Sequence, residues 1–138
     1  MTQEQKDLLL KDLCGRLPYG VKAKIKHYDY DNAWKLLAIY TNGTTYATRD
    51  IGYPIETCFE DCKPYLFPLS SMTDKQKQEY TYIVNYISSV DTENWKEGEF
   101  IYVEQFTQLM HFYHINHLDY MGLIPMDLAI DATGLNIY

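Results

Sequence analysis

Residues 20–48, GVKAKIKHYDYDNAWKLLAIYTNGTTYAT, carry the pattern from which the fold class follows. Over residues 20–28, Val21, Ala23, Ile25 and His27 alternate with Lys22, Lys24 and Lys26. A period of two puts successive side chains on opposite faces of a strand, so this alternation predicts one apolar face and one lysine face. The lysines read as a solvent face, as an edge kept from pairing with other chains, or as a small basic patch for an anionic partner. His27 falls on the apolar face, as a core or boundary histidine. Tyr28 to Asn32 is a polar turn, Trp34 to Tyr40 a second strand, and Thr44 to Thr48 the returning strand. Between the last two, Asn42-Gly43 predicts a type I′ turn, because both residues accept positive φ. Three strands so connected predict an antiparallel meander.

Helical periodicity flanks the meander. Residues 3–16 place Leu9, Leu10, Leu13 and Leu17 on one stripe with Leu8 at its edge. Thr2 is the expected N-cap, Gln5 completes a capping box, and Gly15 and Pro18 are the expected stop. Residues 49–71, with Pro54, Pro64 and Pro68, read as irregular, part of them around Ile55–Phe59 adding a fourth strand. Residues 74–88 predict a helix capped by Thr73 and Gln76, with Tyr80, Ile83, Val84 and Ile87 buried. Residues 89–98 form a charged loop. A third helix over about 101–115 carries the stripe Val103, Phe106, Leu109, Met110 and Tyr113. The tail 119–138, with Gly122, Pro125 and Gly134, is less regular and packs on the body as a short helix or strand. The expected fold is α+β: an N-terminal helix, an antiparallel meander of three to four strands, two further helices and an irregular tail on one core. At 138 residues it reads as one domain, 1–138.

Charge is distributed unevenly. Residues 1–50 carry eight Lys or Arg against six Asp or Glu, and residues 51–138 carry four against 13. After Lys96 the chain has no Lys or Arg, so its second half repels phosphate backbones and argues against direct nucleic-acid binding. The three cysteines, Cys14, Cys58 and Cys62, are an odd and sparse set, which argues against a disulfide framework and for thiols in a cytosolic protein. The carboxylates of Glu56, Glu60 and Asp61 beside Cys58 and Cys62 disfavour a reactive thiolate. No apolar run approaches the roughly 18 residues of a membrane span. The opening MTQEQKDLLLKDL does not read as a signal peptide. Fourteen tyrosines suit either half-buried packing or protein recognition.

The cluster His111-Phe-Tyr-His114-Ile-Asn-His117-Leu-Asp119 is the one constellation with chemical potential. Neutral imidazoles and a carboxylate suit Zn, Ni or Cu, so His111, His114, His117 and Asp119 are candidate metal ligands. On a helix, positions i and i+3 are neighbours, whereas i and i+6 are about 120° apart, so three ligands converge only if the helix ends near His114. The structural alternative puts His117 at the helix end, as a cation meeting the C-terminal dipole. Asp119 then accepts a hydrogen bond from it or caps the next segment. HExxH, Walker, GxGxxG and GxSxG patterns are absent, and no catalytic residue or cofactor is expected.

Three segments, TQEQKDLLLKDLCGRLPYGVK at 2–22, EDCKPYLFPLSSMTDKQKQEY at 60–80 and HINHLDYMGLIPMDLAIDA at 114–132, resemble a group of small acidic uncharacterised proteins of Bacteroides-type gut bacteria and their prophages or mobile elements. Where sequences of that group read His-x-Asp-Tyr-Arg-Gly-Leu-Ile, this chain has Met121 in place of the Arg, so a role resting on that Arg does not carry over. The resemblance implies a phage or mobile-element context and no activity. The leading expectation is therefore a non-enzymatic cytoplasmic module that binds another protein. The alternatives are a small metal-dependent enzyme using His111–Asp119, and an acidic nucleic-acid mimic that blocks a basic groove.

Overall fold

The computed structural model describes the backbone of residues 1–28, 33–50, 52–89 and 95–138, and the side chains of these except 87–89, 95–103 and 105. Helix α1 spans Gln3–Arg16. Its expected capping box forms: Thr2 Oγ1 accepts the Gln5 N–H at 3.2 Å and Gln5 Oε1 accepts the Thr2 N–H at 2.9 Å, which satisfies two donors that the first turn leaves free. The helix runs through Gly15 and ends in a 3-10 turn, Leu17–Tyr19, where the N–H that Pro18 lacks is not needed. Its fully buried stripe is not all leucine. Leu9 and Leu13 share it with Asp12 and Arg16, while Leu8, Leu10 and Leu17 are only partly buried.

Among the described residues six strands form one mixed sheet: β1 Lys22–Ile25, β2 Trp34–Ile39, β3 Thr44–Thr48, β4 Ile55–Cys58, β5 Cys62–Leu66 and β6 Ile130–Asp131, in the order β4-β3-β2-β1-β5-β6. The first five pair antiparallel, and β6 runs parallel to β5. The fold is thus α+β with the expected meander and more strands than expected. β5 lies in the segment read as irregular because of its prolines. Pro64 is tolerated there because it faces Ala23 at a non-hydrogen-bonded position of the β1–β5 ladder and β6 pairs only with Tyr65 and Leu66, so no donor is required at position 64. β5 also makes β1 an interior strand, which removes the reading of its lysines as an edge guard. The strand ends at Ile25, so His27 falls in the following turn, not on the apolar face. Its side chain is 67 % exposed and stands 3.7 Å from the Asp61 carboxylate.

The β2–β3 connection also departs from expectation. Asn42 keeps a negative φ and only Gly43 is left-handed, at 87°. Gly43 N–H donates to the Tyr40 carbonyl, and Tyr40 N–H to the Thr44 carbonyl, each at 2.8 Å. This is a three-residue loop with a left-handed glycine, the other common hairpin solution.

The described side chains form two apolar clusters. The larger joins Leu9 and Leu13 of α1 to the inner face of the sheet through Ala23, Ile25, Trp34, Leu36 and Leu66, and the tail closes it with Leu123, Leu128 and Ala129. The smaller lies between α2, Asp74–Ser89, and α3, Trp95–Ile115, with Ile83, Phe112 and Leu118 at its centre. Thr73 and Gln76 cap α2 reciprocally at 2.8 and 3.2 Å. Ile87 and Val103, both expected in helical stripes, lie outside the described side chains. α3 begins at Trp95, inside the segment expected as loop. Phe106 is 51 % exposed rather than buried. No helix among the described residues is long and apolar enough to cross a membrane.

Candidate functional site

The end of α3 brings the predicted histidines toward α1, but each turns to a different partner. His111 Nδ1 lies 3.0 Å from the Tyr19 hydroxyl and His114 Nε2 3.0 Å from the Tyr120 hydroxyl. α3 stops at Ile115, and His117 adopts a left-handed φ of 51°. Its carbonyl accepts the Phe67 N–H at 2.9 Å, and its ring stacks on Tyr138 with centroids 3.6 Å apart. Asp119 does not reach His117. Its two carboxylate oxygens accept the Leu123 and Ile124 N–H groups at 2.7 and 2.9 Å, so it caps the next turn. Among the described residues, no three His, Cys, Asp or Glu side chains are grouped to hold a metal ion.

Protonation follows burial. Loss of solvent, reinforced by the Arg16 guanidinium, lowers His114 and His117 to about 4. Both imidazoles are therefore neutral at pH 7, and His117 is not the cation expected at the helix terminus. Burial, with Asp61 and Cys58 adding to it, pushes the Cys62 thiol up to about 12, the direction that disfavours a thiolate. Cys14, Cys58 and Cys62 all carry free thiols.

Beneath the histidines lies a charged pair that the leucine stripe concealed. Asp12 and Arg16 have fully buried side chains, with Arg16 Nε 2.7 Å from Asp12 Oδ2. Arg16 Nη2 donates to the Leu118 carbonyl at 2.7 Å, tying α1 to the segment after α3, and its guanidinium lies 5.3 Å from the Tyr120 ring centroid. Asp12 Oδ1, Arg16 Nη1 and His117 Nδ1 are buried without a hydrogen-bond partner among the described residues. Burial raises the Asp12 carboxyl despite the opposing pull of Arg16. The tail locks the same region: Lys22 N–H donates to the Tyr138 hydroxyl at 3.1 Å, and that hydroxyl donates to the Tyr65 carbonyl at 2.8 Å, bridging β1 and β5. This arrangement joins α1, α3, the sheet and the tail.

The outer face of the sheet is different in kind. Cross-strand register sets Lys22 opposite Lys35 and Lys24 opposite Lys63. Lys24, Lys26 and Lys35 are exposed. Beyond them the face turns aromatic: Tyr40 packs edge-on against Tyr46 with centroids 5.6 Å apart, and Tyr46 donates to Glu56 at 3.0 Å. Leu37 and Tyr40 are 46 % and 57 % exposed. Leu37 shares the outer face with Lys35 by strand alternation, and the bulge between Leu36 and Ala38 shifts the β2–β3 register so that Tyr40 stands on that face too.

Asp12 and Arg16 form an i, i+4 pair on the period of Leu9 and Leu13, but a charged pair on a helix reads as solvent-facing. Nothing local marks Tyr19, Tyr120 or Tyr138, whose roles depend on contacts across 92, 6 and 73 positions of chain. Lys35 and Lys63 joined the lysine face only once β2 and β5 had paired with β1. No family model matches the chain, and neither a curated protein nor a solved structure matches it.

Proposed function

We propose that this protein is a non-enzymatic interaction module that docks a partner protein on the outer face of its sheet, within a bacterial cytoplasm and in a prophage or mobile-element setting. The observation that carries the reading is the one-sided sheet. The core packs on the inner face, while Leu37, Tyr40 and Tyr46 stand on the outer one beside a row of lysines. Tyrosine and leucine exposed together supply large apolar area at small entropic cost, the property that enriches aromatics at protein interfaces. The histidine cluster supports the same reading, because its imidazoles and Asp119 serve hydrogen bonds and stacking that join elements of the fold. The bacterial setting rests on the resemblance of the segments at 2–22, 60–80 and 114–132.

The test is site-specific crosslinking in native bacterial cells, with p-benzoylphenylalanine at position 40 and, as control, at position 82. Tyr82 is 71 % exposed on α2, away from the sheet. A discrete adduct from position 40, lost on adding Leu37→Ser and absent from position 82, is the expected result. Equal adducts from both positions, or none from position 40, refute the docking face.

A further inference from the structure

We infer that the segment docking on this face is an acidic stretch of polypeptide in extended conformation, seated on the lysines of β1, β2 and β5. The inference rests on the docking reading above and names the chemistry of its partner. Like charges directly opposite one another on neighbouring strands oppose pairing, yet the sheet sets two such pairs side by side, Lys22 with Lys35 and Lys24 with Lys63. Half of the cost is relieved within the chain. Lys63 Nζ meets Asp127 at 2.7 Å, and Lys22 Nζ donates to the Ile137 carbonyl at 2.8 Å. Lys24 and Lys35, one from each pair, have no ion pair or hydrogen bond among the described residues. Besides Asp127, three acids border the patch: Lys6 holds Glu60 at 2.9 Å, His27 stands 3.7 Å from Asp61, and Glu56 accepts the Tyr46 hydroxyl at 3.0 Å.

The spacing suits an extended ligand. Lys22 and Lys24 alternate along β1, with Lys26 following in the turn, so the two strand side chains stand about 6.7 Å apart. Every second residue of an extended acidic segment has the same repeat, and each carboxylate then faces an ammonium. The adjoining Leu37, Tyr40 and Tyr46 supply apolar contact at one end. A nucleic acid fits less well. Its charge continues at every nucleotide beyond the patch, where the chain carries a net charge of −7 overall and repels it. A short acidic segment ends where the lysines end.

The test uses the full chain and two fluorescein-labelled probes, a 12-residue peptide of alternating Glu and Thr and a 12-nucleotide oligothymidylate, read by anisotropy. The peptide is expected to bind at 50 mM NaCl and to lose at least tenfold in affinity by 300 mM. Lys24→Glu/Lys35→Glu is expected to weaken it at least tenfold while raising the urea midpoint of unfolding, because each facing pair becomes attractive. Lys11→Glu, on the exposed side of α1, is expected to change neither. Absence of peptide binding at 50 mM, affinity of the double variant within twofold of wild type, or tighter binding of the oligothymidylate overturns the proposal. If crosslinking through position 40 persists in the double variant but is lost with Leu37→Ser, the acidic ligand is wrong and the docking face stands. If neither change affects it, both readings fail.

Discussion

Replacing Arg16 with Met strands a carboxylate in the interior. In the native fold the Asp12 and Arg16 side chains are both fully buried and 2.7 Å apart, and Arg16 also supplies the donor to the Leu118 carbonyl. Breaking a buried pair from one side costs about 3–5 kcal/mol, and an acceptor left without its donor costs about 1–3 kcal/mol. The two costs overlap, because local relaxation serves both, so Arg16→Met is expected to lose about 4 kcal/mol out of the 5–15 kcal/mol typical of a domain. With a urea m-value of about 2 kcal/mol/M, the midpoint falls by about 2 M. The double variant Asp12→Leu/Arg16→Met removes both charges and with them the orphaned Asp12 Oδ1 and Arg16 Nη1. It is expected to return within about 2 kcal/mol of wild type, since apolar replacement of a buried pair is often neutral. The deficit of Arg16→Met also depends on pH. A carboxyl whose pKa is higher in the fold than in the unfolded chain stabilises the fold as pH falls, since the fold then binds the proton more tightly. Burial already raises Asp12, and loss of Arg16 raises it further, so the deficit shrinks from pH 8 to pH 5. Urea titrations of the wild type, two singles and the double at both pH values measure all of this. A single-variant loss below about 1 kcal/mol, or a double-variant loss equal to the sum of the singles, refutes the buried coupling.

The buried imidazoles give the fold an acid limit. His114 and His117 titrate near 4 in the fold against about 6.5 unfolded. Between those values the unfolded chain binds protons that the fold refuses, so stability is complete above about pH 6.5 and declines toward pH 4. The loss is roughly 2 kcal/mol per histidine at pH 5. His117→Phe keeps a ring against Tyr138 and removes one titration, so its urea midpoint is expected to fall less than that of the wild type between pH 7.5 and 5.0; parallel declines would contradict the assignment. Gly15→Ala tests the approach of α3 to α1. A Cβ at position 15 would lie 2.9 Å from His114 Cε1, and the ring is held by Tyr120, so overpacking of about 1–3 kcal/mol outweighs the helix-propensity gain of about 1 kcal/mol. The same change in a His114→Ala background is expected to stabilise the protein, and a loss there would show that the clash is not with the imidazole.

Local physics was legible in the chain. Thr2 with Gln5 and Thr73 with Gln76 form their capping boxes because both partners lie within one turn of each other. The alternation at Lys22–Ile25 makes a strand with lysines outward because period two is a property of the extended backbone itself. The end of that strand was less legible: one further polar residue leaves His27 equally suited to strand or turn, and the pairing with β5 decided it. Pro64 concealed β5 because a missing donor matters only if a neighbour asks for it, and position 64 faces Ala23 where the β1–β5 ladder makes no hydrogen bond. Helix α1 misled for the opposite reason. Asp12 and Arg16 were on the buried period, but a charge reads as surface until its partner is known.

From its residues alone, then, the chain determined its helices, its meander and the lysine face of β1, since each depends on neighbours a few positions apart. Which strand would flank β1, where the histidines would turn, what would neutralise Asp12 and which lysines would face one another were decided only on folding. Those outcomes depend on groups brought together from distant parts of the chain, and the energy of a buried charge or a cross-strand pair does not exist until both members arrive.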